Sequence, residues 1–297
     1  VSLKYRNFSY PAVWGRDLIT LPEFRKLGIG PFLIDSVLKE IKNKAAIFLI
    51  AGLNDQVYTI YKKFGFIDMG YIPLYVRINR LNHIIRSKVN NRLLAPFLNI
   101  LGSSAVKIIY MPSQVLRYTY GRKKDIFITE IAYFDNSFNK LWEDASGSFG
   151  LIVRRDNAYL NWRFVNQPYW KYKIFKAFRK DTDNPVGYIV LREGVSRGLR
   201  VGVITEIFAA PDDSSIIVSL VNFAISYFAQ KNEVDLVRCN MLNKDFGRVL
   251  KKCGFINIQS SSRFMFTNVN QELDAAFFAS RNNWFLDYAD SDLDLSG

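Results

Sequence analysis

Hydrophobic positions recur along this chain in blocks that alternate between a strand period and a helix period. An apolar run at 17–21 predicts a strand, and a second strand is predicted at 46–51. Between them, apolar residues at helical spacing predict an amphipathic helix, namely Phe32, Leu33, Val37, Leu38 and Ile41. A further short helix should end at Gly65, where a left-handed C-cap is expected. This order of strand, helix, strand and helix predicts an α/β fold with a mixed sheet.

The same pattern returns 189 residues later. Lys62-Lys63-Phe64-Gly65-Phe66-Ile67 matches Lys251-Lys252-Cys253-Gly254-Phe255-Ile256, and Leu53-Asn54 matches Leu242-Asn243 at the same offset. The second copy repeats the predicted strands at 203–209 and 235–239, with a helix between them. A single register without a gap indicates a duplicated domain.

The repeat predicts a division of the chain into four parts. They are a first domain over 1–81, a linker region over 82–145, a second domain over 146–270 and a C-terminal tail over 271–297. In this register position 1 corresponds to position 190, inside a predicted strand of the second copy. The first domain is therefore expected to lack its opening strand and helix. The linker carries an amphipathic stretch at 93–101.

Composition narrows the class of protein. Half of the residues are apolar, yet no apolar run reaches the ~18 to 20 residues that span a bilayer, so we expect a globular protein without a membrane span. Two cysteines without a spacing pattern favour a reducing compartment, and we expect the cytoplasm. The only histidine, His83, disfavours a Ser-His-Asp triad and a histidine-rich metal site.

The net charge of +13 would suit an anionic membrane surface, nucleic acid or a phosphorylated ligand. The basic residues are spread thinly, however, and the only compact cluster is Arg122-Lys123-Lys124. A solvated basic surface explains this distribution equally well, and we expect no DNA partner.

The sharpest local signal is the segment 21–30, Leu-Pro-Glu-Phe-Arg-Lys-Leu-Gly-Ile-Gly, between a predicted strand and a predicted helix. Glycines at 28 and 30 let a ligand approach the backbone closely, and the free N–H groups of a helix N-terminus suit a pyrophosphate. A tight turn that needs glycine only for its geometry is the alternative interpretation.

Three matched features extend this signal into a family resemblance. Arg25-x-x-Gly28-x-Gly30 is followed about 30 residues later by Asn54 after a strand, and then by Tyr61 in Tyr-Lys-Lys-Phe-Gly-Phe. Together they resemble the acetyl-CoA-binding signature of the GCN5-related N-acetyltransferase superfamily. The resemblance covers residues 13–78 well, and residues 150–268 resemble the same fold without its site. It implies two such α/β domains, each with a mixed, mostly antiparallel sheet flanked by helices.

The resemblance also implies a co-substrate, acetyl-CoA or another acyl-CoA, and no metal. Backbone amides in the loop would hold the CoA pyrophosphate, with two cations beside it; the residues are Leu27, Gly28, Ile29 and Gly30 with Arg25 and Lys26. The Leu21 backbone would pair with the pantetheine arm and polarise the thioester carbonyl. Asn54 would contact the pantetheine or order its helix.

Catalytic roles follow from the same resemblance. Tyr61 would protonate the leaving thiolate as general acid, and a packed core aromatic is the alternative interpretation. Asp17 would act as base or contact the amine, with Glu23 as the other candidate for this role. Both carboxylates could equally be surface or substrate-positioning groups.

The second copy departs from the signature at each cofactor position. Ser214, Ile217 and Ser219 stand where the first copy has Arg25, Gly28 and Gly30, and Leu250 stands where it has Tyr61. We therefore expect no CoA site there, and a second copy that shapes the acceptor site instead. Its aromatic and basic patch at 159–170 is explained by core packing or by stacking on a sugar or other ring of the acceptor.

The resemblance thus implies an N-acyltransferase that moves an acyl group, acetyl in the first place, from acyl-CoA to a primary amine of a small molecule or amino sugar. One alternative is an aminoacyl- or long-chain acyltransferase whose donor is carried by tRNA or by acyl carrier protein, for which the basic surface would suit an acidic partner. A non-catalytic binding module is a third possibility. It fits the second copy but not the first.

Overall fold

The computed structural model describes residues 1–16, 18–88, 125–231, 233–269 and 273–290. Three features singled out in the sequence lie outside these described residues: Asp17, the amphipathic stretch at 93–101 and the cluster Arg122-Lys123-Lys124. The end of the predicted tail, 291–297, lies outside them as well.

The strands of the described part are β1 (Ser2–Tyr5), β2 (Phe8–Gly15), β3 (Ile47–Ala51), β4 (Ile67–Tyr71), β5 (Leu74–Ile78), β6 (Ile126–Ile131), β7 (Leu151–Val153), β8 (Lys173–Arg179), β9 (Pro185–Ser196), β10 (Leu199–Ala209), β11 (Leu236–Asn240), β12 (Ile256–Ile258) and β13 (Arg263–Asn268). Its helices are α1 (Ile29–Ile41), α2 (Asp55–Lys63), α3 (Leu81–Lys88), α4 (Ser137–Ser146), α5 (Asn157–Leu160), α6 (Ser214–Gln230), α7 (Lys244–Lys252) and α8 (Ala275–Ala279). A π-helical turn, Asn161–Val165, continues α5, and 3₁₀ turns occur at Pro22–Phe24 and Arg281–Asn283.

These strands form two sheets. The first has six strands in the order β4-β13-β3-β2-β1-β7, and the second has seven in the order β12-β5-β11-β10-β9-β8-β6. Only β2 with β3 and β10 with β11 pair in parallel, while the remaining paired strands are antiparallel. The predicted fold class is therefore confirmed: the chain is α/β, with two mixed, mostly antiparallel sheets flanked by helices.

The offset of 189 residues is visible in the elements themselves. β3 and β11 begin and end 189 positions apart, and so do α2 and α7. In each copy the two strands of the parallel pair are joined by a helix and followed by a second one, in the order β2-α1-β3-α2 and β10-α6-β11-α7. The duplication inferred from the sequence is thus a duplication of structure.

The two copies exchange one strand. β5 and β13 are equivalent in the repeat, yet β5 lies between β11 and β12 of the second sheet, and β13 lies between β3 and β4 of the first. Phe264 of β13 pairs with Ala51, and Leu236 of β11 pairs with Ile78. In addition β7 pairs with β1. Each sheet is therefore built from strands on both sides of the predicted linker.

One predicted strand does not form. Of the predicted strand at 17–21, the described residues 18–21 are outside any strand, and β2 ends earlier, at Gly15. The equivalent part of β10 is a strand because it pairs with residues 187–190 of β9. β1 pairs with β2 only as far as Pro11, so residues 18–21 have no neighbouring strand.

The buried face of α1 also differs from the predicted one. Phe32 is 68% exposed, and Leu33 and Val37 are exposed as well, whereas Ile34 and Ile41 are buried. Ile34 and Ile41 pack with the ring of Phe48 on β3. The helix was predicted correctly, and of the five predicted apolar positions Ile41 is buried and Leu38 packs against the core. The other three are exposed, because this helix is apolar on more than one side.

The described part of the predicted C-terminal tail packs into the core. Trp284, Phe285 and Leu286 are fully buried, and the Phe285 N–H donates to the Leu151 carbonyl at 2.8 Å. Both cysteines are buried free thiols. Among the described residues, no helix is both long and apolar enough to cross a bilayer.

Candidate functional site

A cleft of about 890 Å³ lies beside the segment that connects β2 to α1. That segment forms one wall, and the first turns of α1 and α2 form the others. The cleft is lined by Leu18, Ile19, Thr20, Phe24, Arg25, Lys26, Gly28, Ile29, Gly30, Pro31, Asn54, Gln56, Val57 and Ile60. The glycine loop and Asn54, which are 24 positions or more apart in sequence, thus meet at one cavity.

The loop before α1 is held in shape by its own backbone. A 3₁₀ turn at Pro22–Phe24 is closed by the Phe24 N–H, which donates to the Leu21 carbonyl at 3.0 Å. The Arg25 Nε donates to the Thr20 carbonyl at 3.1 Å. Gly28 then adopts the left-handed region at φ 79°, where a residue with a side chain would cost ~1–2 kcal/mol. The loop geometry therefore requires glycine at position 28.

The N-terminus of α1 points free donors at the cleft. Gly28 is the N-cap, and its carbonyl accepts the Phe32 N–H at 3.0 Å. The N–H groups of Ile29 and Gly30 donate to no backbone carbonyl of the described chain, as expected for the first turn of a helix. No acidic residue occupies this turn, and Arg25 and Lys26 line the same cleft. The arrangement favours an anion.

Gly30 is not required by the local fold. It lies in the first turn of α1, and a Cβ built on it would meet only Ile60 Cδ1 and Leu18 Cδ2, each at 3.9 Å. Alanine would fit there, and it has the higher helix propensity. What glycine preserves at this position is open space on the cleft side of the backbone.

Asn54 is the N-cap of α2. Its Oδ1 accepts the Val57 N–H at 2.9 Å, and the residue lines the cleft. This hydrogen bond orders the first turn of α2.

Tyr61 lies on the buried side of α2 and is not among the residues that line the cleft. Its ring is 3% exposed and makes edge contacts with Phe48 and Phe66, at centroid distances of 6.3 and 4.8 Å. Burial raises the pKa of Tyr61 to about 12, so its hydroxyl is protonated at neutral pH. Its neighbours on the cleft-facing side of the same helix are Val57 and Ile60.

Most of the residues predicted for the cofactor line this one cleft, and they are Arg25, Lys26, Gly28, Ile29, Gly30 and Asn54. Leu21 and Leu27 are exposed next to it, and Glu23 is exposed in the 3₁₀ turn. Sequence reasoning missed Leu18, Thr20, Phe24 and the α2 pair Val57 and Ile60. The spacing of three between Val57 and Ile60 was the signal that could have revealed this face of α2.

In the second copy, a described segment near the C-terminus packs beside the equivalent strand and helix. Beyond the end of β11, the Leu242 N–H donates to the Leu286 carbonyl at 2.9 Å, and Met241 forms a bridge with Asp287. The ring of Phe285 packs against Phe208 and Phe246. Residues 284–287 thus lie beside the diverging ends of β10 and β11.

A buried charge cluster fixes this segment. Arg155 is fully buried and donates to Asp290 at 2.7 Å, to the Val153 carbonyl at 2.6 Å and to Glu206 at 3.3 Å. The Tyr188 hydroxyl donates to the same Glu206. Asp287 lies 3.8 Å from Arg155. Three buried carboxyl groups therefore share one guanidinium. Glu206, which matches Asp17 in the repeat, is a structural group here.

Removing one of these carboxylates should stabilise the fold at neutral pH. Burial, and then the charges of Glu206 and Asp290, raise the pKa of Asp287 well above its ordinary value. A carboxyl group with a raised pKa stabilises the fold while it is protonated, and this stability is lost as the pH rises through its folded-state pKa. We expect Asp287→Asn to raise the unfolding midpoint at pH 7 and to change it little near pH 4.

Thermal unfolding at both pH values measures this effect, and Asp290→Asn is the matched control. Asp290 accepts directly from Arg155, so its replacement should destabilise the protein at pH 7. A lower midpoint for Asp287→Asn at pH 7 than for the unaltered chain would contradict the assignment of the raised pKa.

No group of three or more metal-ligating side chains occurs in the described part of the chain.

Comparison with known proteins bears on the fold alone. No protein-family model matches this sequence, and no curated protein matches it either.

Solved structures do match. The chain aligns with a GCN5-related N-acetyltransferase from Anabaena variabilis at a TM-score of 0.57 and 14% identity, over 91% of this chain and 58% of that one. It aligns with a GCN5-related N-acetyltransferase from Kribbella flavida at a TM-score of 0.54 and 14% identity, over 91% of this chain and 55% of that one. A probable N-acyltransferase from Enterococcus faecalis matches at a TM-score of 0.55 and 14% identity, over 91% of this chain and 57% of that one.

The chain thus spans somewhat more than half the length of each of these structures. The likeness extends over both sheets, because it covers nine-tenths of the chain. This protein has the fold of the GCN5-related N-acetyltransferases, with two domains of that type.

Proposed function

We propose that this protein is an acyl-CoA-dependent N-acyltransferase that transfers an acetyl or other acyl group to a primary amine of a small molecule or amino sugar. The observation that carries the proposal is the cradle at the N-terminus of α1. It offers free N–H groups at Ile29 and Gly30, two cations, and a glycine whose missing side chain leaves room for a ligand. These features suit the pyrophosphate of CoA.

Each predicted residue has a task in this proposal. Arg25 and Lys26 neutralise phosphate charge, and Asn54 holds the first turn of α2 against the cleft. The Leu21 carbonyl accepts a hydrogen bond from the Phe24 N–H. The N–H of Leu21 is available to the pantetheine arm or to the thioester oxygen.

The transfer itself needs two proton movements. The amine nitrogen attacks the thioester carbonyl, the C–N bond forms and the C–S bond breaks. Tyr61 gives its proton to the departing sulfur, and the amine proton passes to Asp17 or Glu23. Asp17 lies outside the described residues, and Glu23 is exposed in the turn that borders the cleft.

Gly30→Ala tests the cradle, because it should separate binding from stability. The added methyl group fits the free protein, so we expect the unfolding free energy to stay the same or to rise by about 0.4–1 kcal/mol. The same methyl group occupies the ligand's side of the backbone, and we expect acetyl-CoA affinity to fall about tenfold or more. Calorimetric titration of the unaltered chain should give one site.

Gly147→Ala is the matched control. Gly147 has helical φ of −64° at the end of α4, and a Cβ there would meet nothing within 4 Å. It should stabilise the fold without changing acetyl-CoA affinity. If the Gly30→Ala variant and the unaltered chain bound acetyl-CoA with equal affinity, the cradle would not be the CoA-binding site. Absence of any CoA binding would favour a donor carried by tRNA or acyl carrier protein.

A further inference from the structure

A second pocket, of about 260 Å³, lies at the far end of α6, where this helix crosses β8 and β9. It shares no lining residue with the cleft at α1. Leu191, Tyr227 and Phe228 supply its apolar lining, and Trp170 supplies a further aromatic ring. The acyl-transfer site proposed at α1 does not include this pocket, although Trp170 belongs to the patch at 159–170 for which stacking on a ring was one interpretation of the sequence.

The loop that carries Trp170 is fixed by one side chain. The Gln167 Oε1 accepts the N–H groups of Tyr169 and Trp170 at 3.0 and 2.8 Å, and its Nε2 donates to the Trp170 carbonyl. The Arg192 guanidinium stacks over the Trp170 ring at 4.6 Å from its centroid. The indole is 40% exposed, so an aromatic surface is held in place and remains accessible.

Four cations face the same pocket: Lys171, Lys173, Arg192 and Lys231. The only carboxylate in its lining is Glu193, which pairs with Lys231, while Lys173 pairs at 2.5 Å with Glu130 outside the lining. Lys231 also lies 4.9 Å from the centroid of the Tyr227 ring. Each ammonium group carries three donors, so a lysine held by one carboxylate still has N–H groups for a ligand.

We propose that this pocket binds a sugar ring that carries a phosphate group. The accessible part of the Trp170 side chain suits the apolar C–H face of a pyranose, since aromatic rings offer apolar area at fixed geometry. The cations suit the phosphate, which guanidinium and ammonium groups bind by charge-assisted hydrogen bonds. The small volume fits one ring with its phosphate better than a longer ligand.

Calorimetry on the full chain with four probes tests the proposal. The probes are glucose 6-phosphate, glucose, inorganic phosphate and adenosine monophosphate. We expect glucose 6-phosphate to bind at least about tenfold more tightly than glucose or phosphate, because only it uses both the ring and the charge. The proposal would be overturned if inorganic phosphate bound as tightly as glucose 6-phosphate, if adenosine monophosphate bound more tightly than glucose 6-phosphate, or if none of the four probes bound.

Two variants assign the binding to this pocket. Trp170→Ala should weaken glucose 6-phosphate binding about tenfold, and Lys171→Gln should weaken it severalfold without disturbing the stacked pair. Trp162→Ala is the matched control, since Trp162 is 60% exposed in the same region but lines neither pocket. Equal losses for Trp170→Ala and Trp162→Ala would place the ligand elsewhere. Because binding is measured directly, the result does not depend on the acyl-transfer proposal.

Discussion

Tyr61→Phe should lower the turnover number ~10²- to 10⁴-fold while leaving acetyl-CoA affinity and stability nearly unchanged. The substitution keeps the ring, so the edge contacts with Phe48 and Phe66 are retained. It removes only the hydroxyl, which burial keeps protonated by raising the pKa of Tyr61 to about 12. Steady-state kinetics together with calorimetric titration separate the loss of a proton donor from a loss of binding.

Tyr58→Phe is the matched control for this experiment. Tyr58 lies on the same helix, and its hydroxyl donates to Asp68 at 3.3 Å outside the cleft, so its removal should change turnover little. An unchanged turnover number for Tyr61→Phe would mean that Tyr61 serves only to pack the core. If Tyr61 is the acid, its raised pKa also predicts no loss of turnover from its ionisation between pH 7 and about 10.

Arg155→Met should destabilise the protein by about 3 to 5 kcal/mol, the largest effect on stability that we expect. The loss is large because three buried carboxyl groups would keep no cation, and the Val153 carbonyl would lose its 2.6 Å partner. Denaturant unfolding followed by circular dichroism measures it.

The neighbouring residue provides the control. Arg154 is half exposed and pairs with Asp156 at 2.6 Å, so Arg154→Met should cost less than about 1 kcal/mol. If Arg155→Met does not fold, Arg155→Met combined with Asp290→Asn should recover part of the stability, because one unpaired charge is removed with it. Equal stability of the Arg155→Met and Arg154→Met variants would show that the cluster does not depend on its guanidinium.

The repeat could be predicted from sequence because its register is carried by short motifs that neither copy has lost. The Asn54 cap and the Gly65 turn recur at Asn243 and Gly254, and both flank helices with equivalent bounds. The loop before α1 was predictable for a similar reason, since the left-handed backbone at Gly28 requires glycine. Five predicted residues of this loop line one cleft, and Asn54 of the α2 cap lines it as well.

Other features depend on contacts that no local pattern encodes. Apolar residues cover more than one side of α1, so periodicity alone did not distinguish Ile34 from Phe32 as the buried position. Residues 18–21 have strand-like composition but no partner strand. β5 and β13 have equivalent patterns, and which sheet each one enters is decided by packing between distant parts of the chain.

The strand exchange has a consequence for the order in which this protein can be made. The inner position between β3 and β4 is filled by Arg263–Asn268, so the first sheet stays open until these residues have left the ribosome. During that interval β3 has an unpaired edge, a known starting point for aggregation. We expect chaperones to bind nascent chains that stop before residue 263, because the edge of β3 is still unpaired in them.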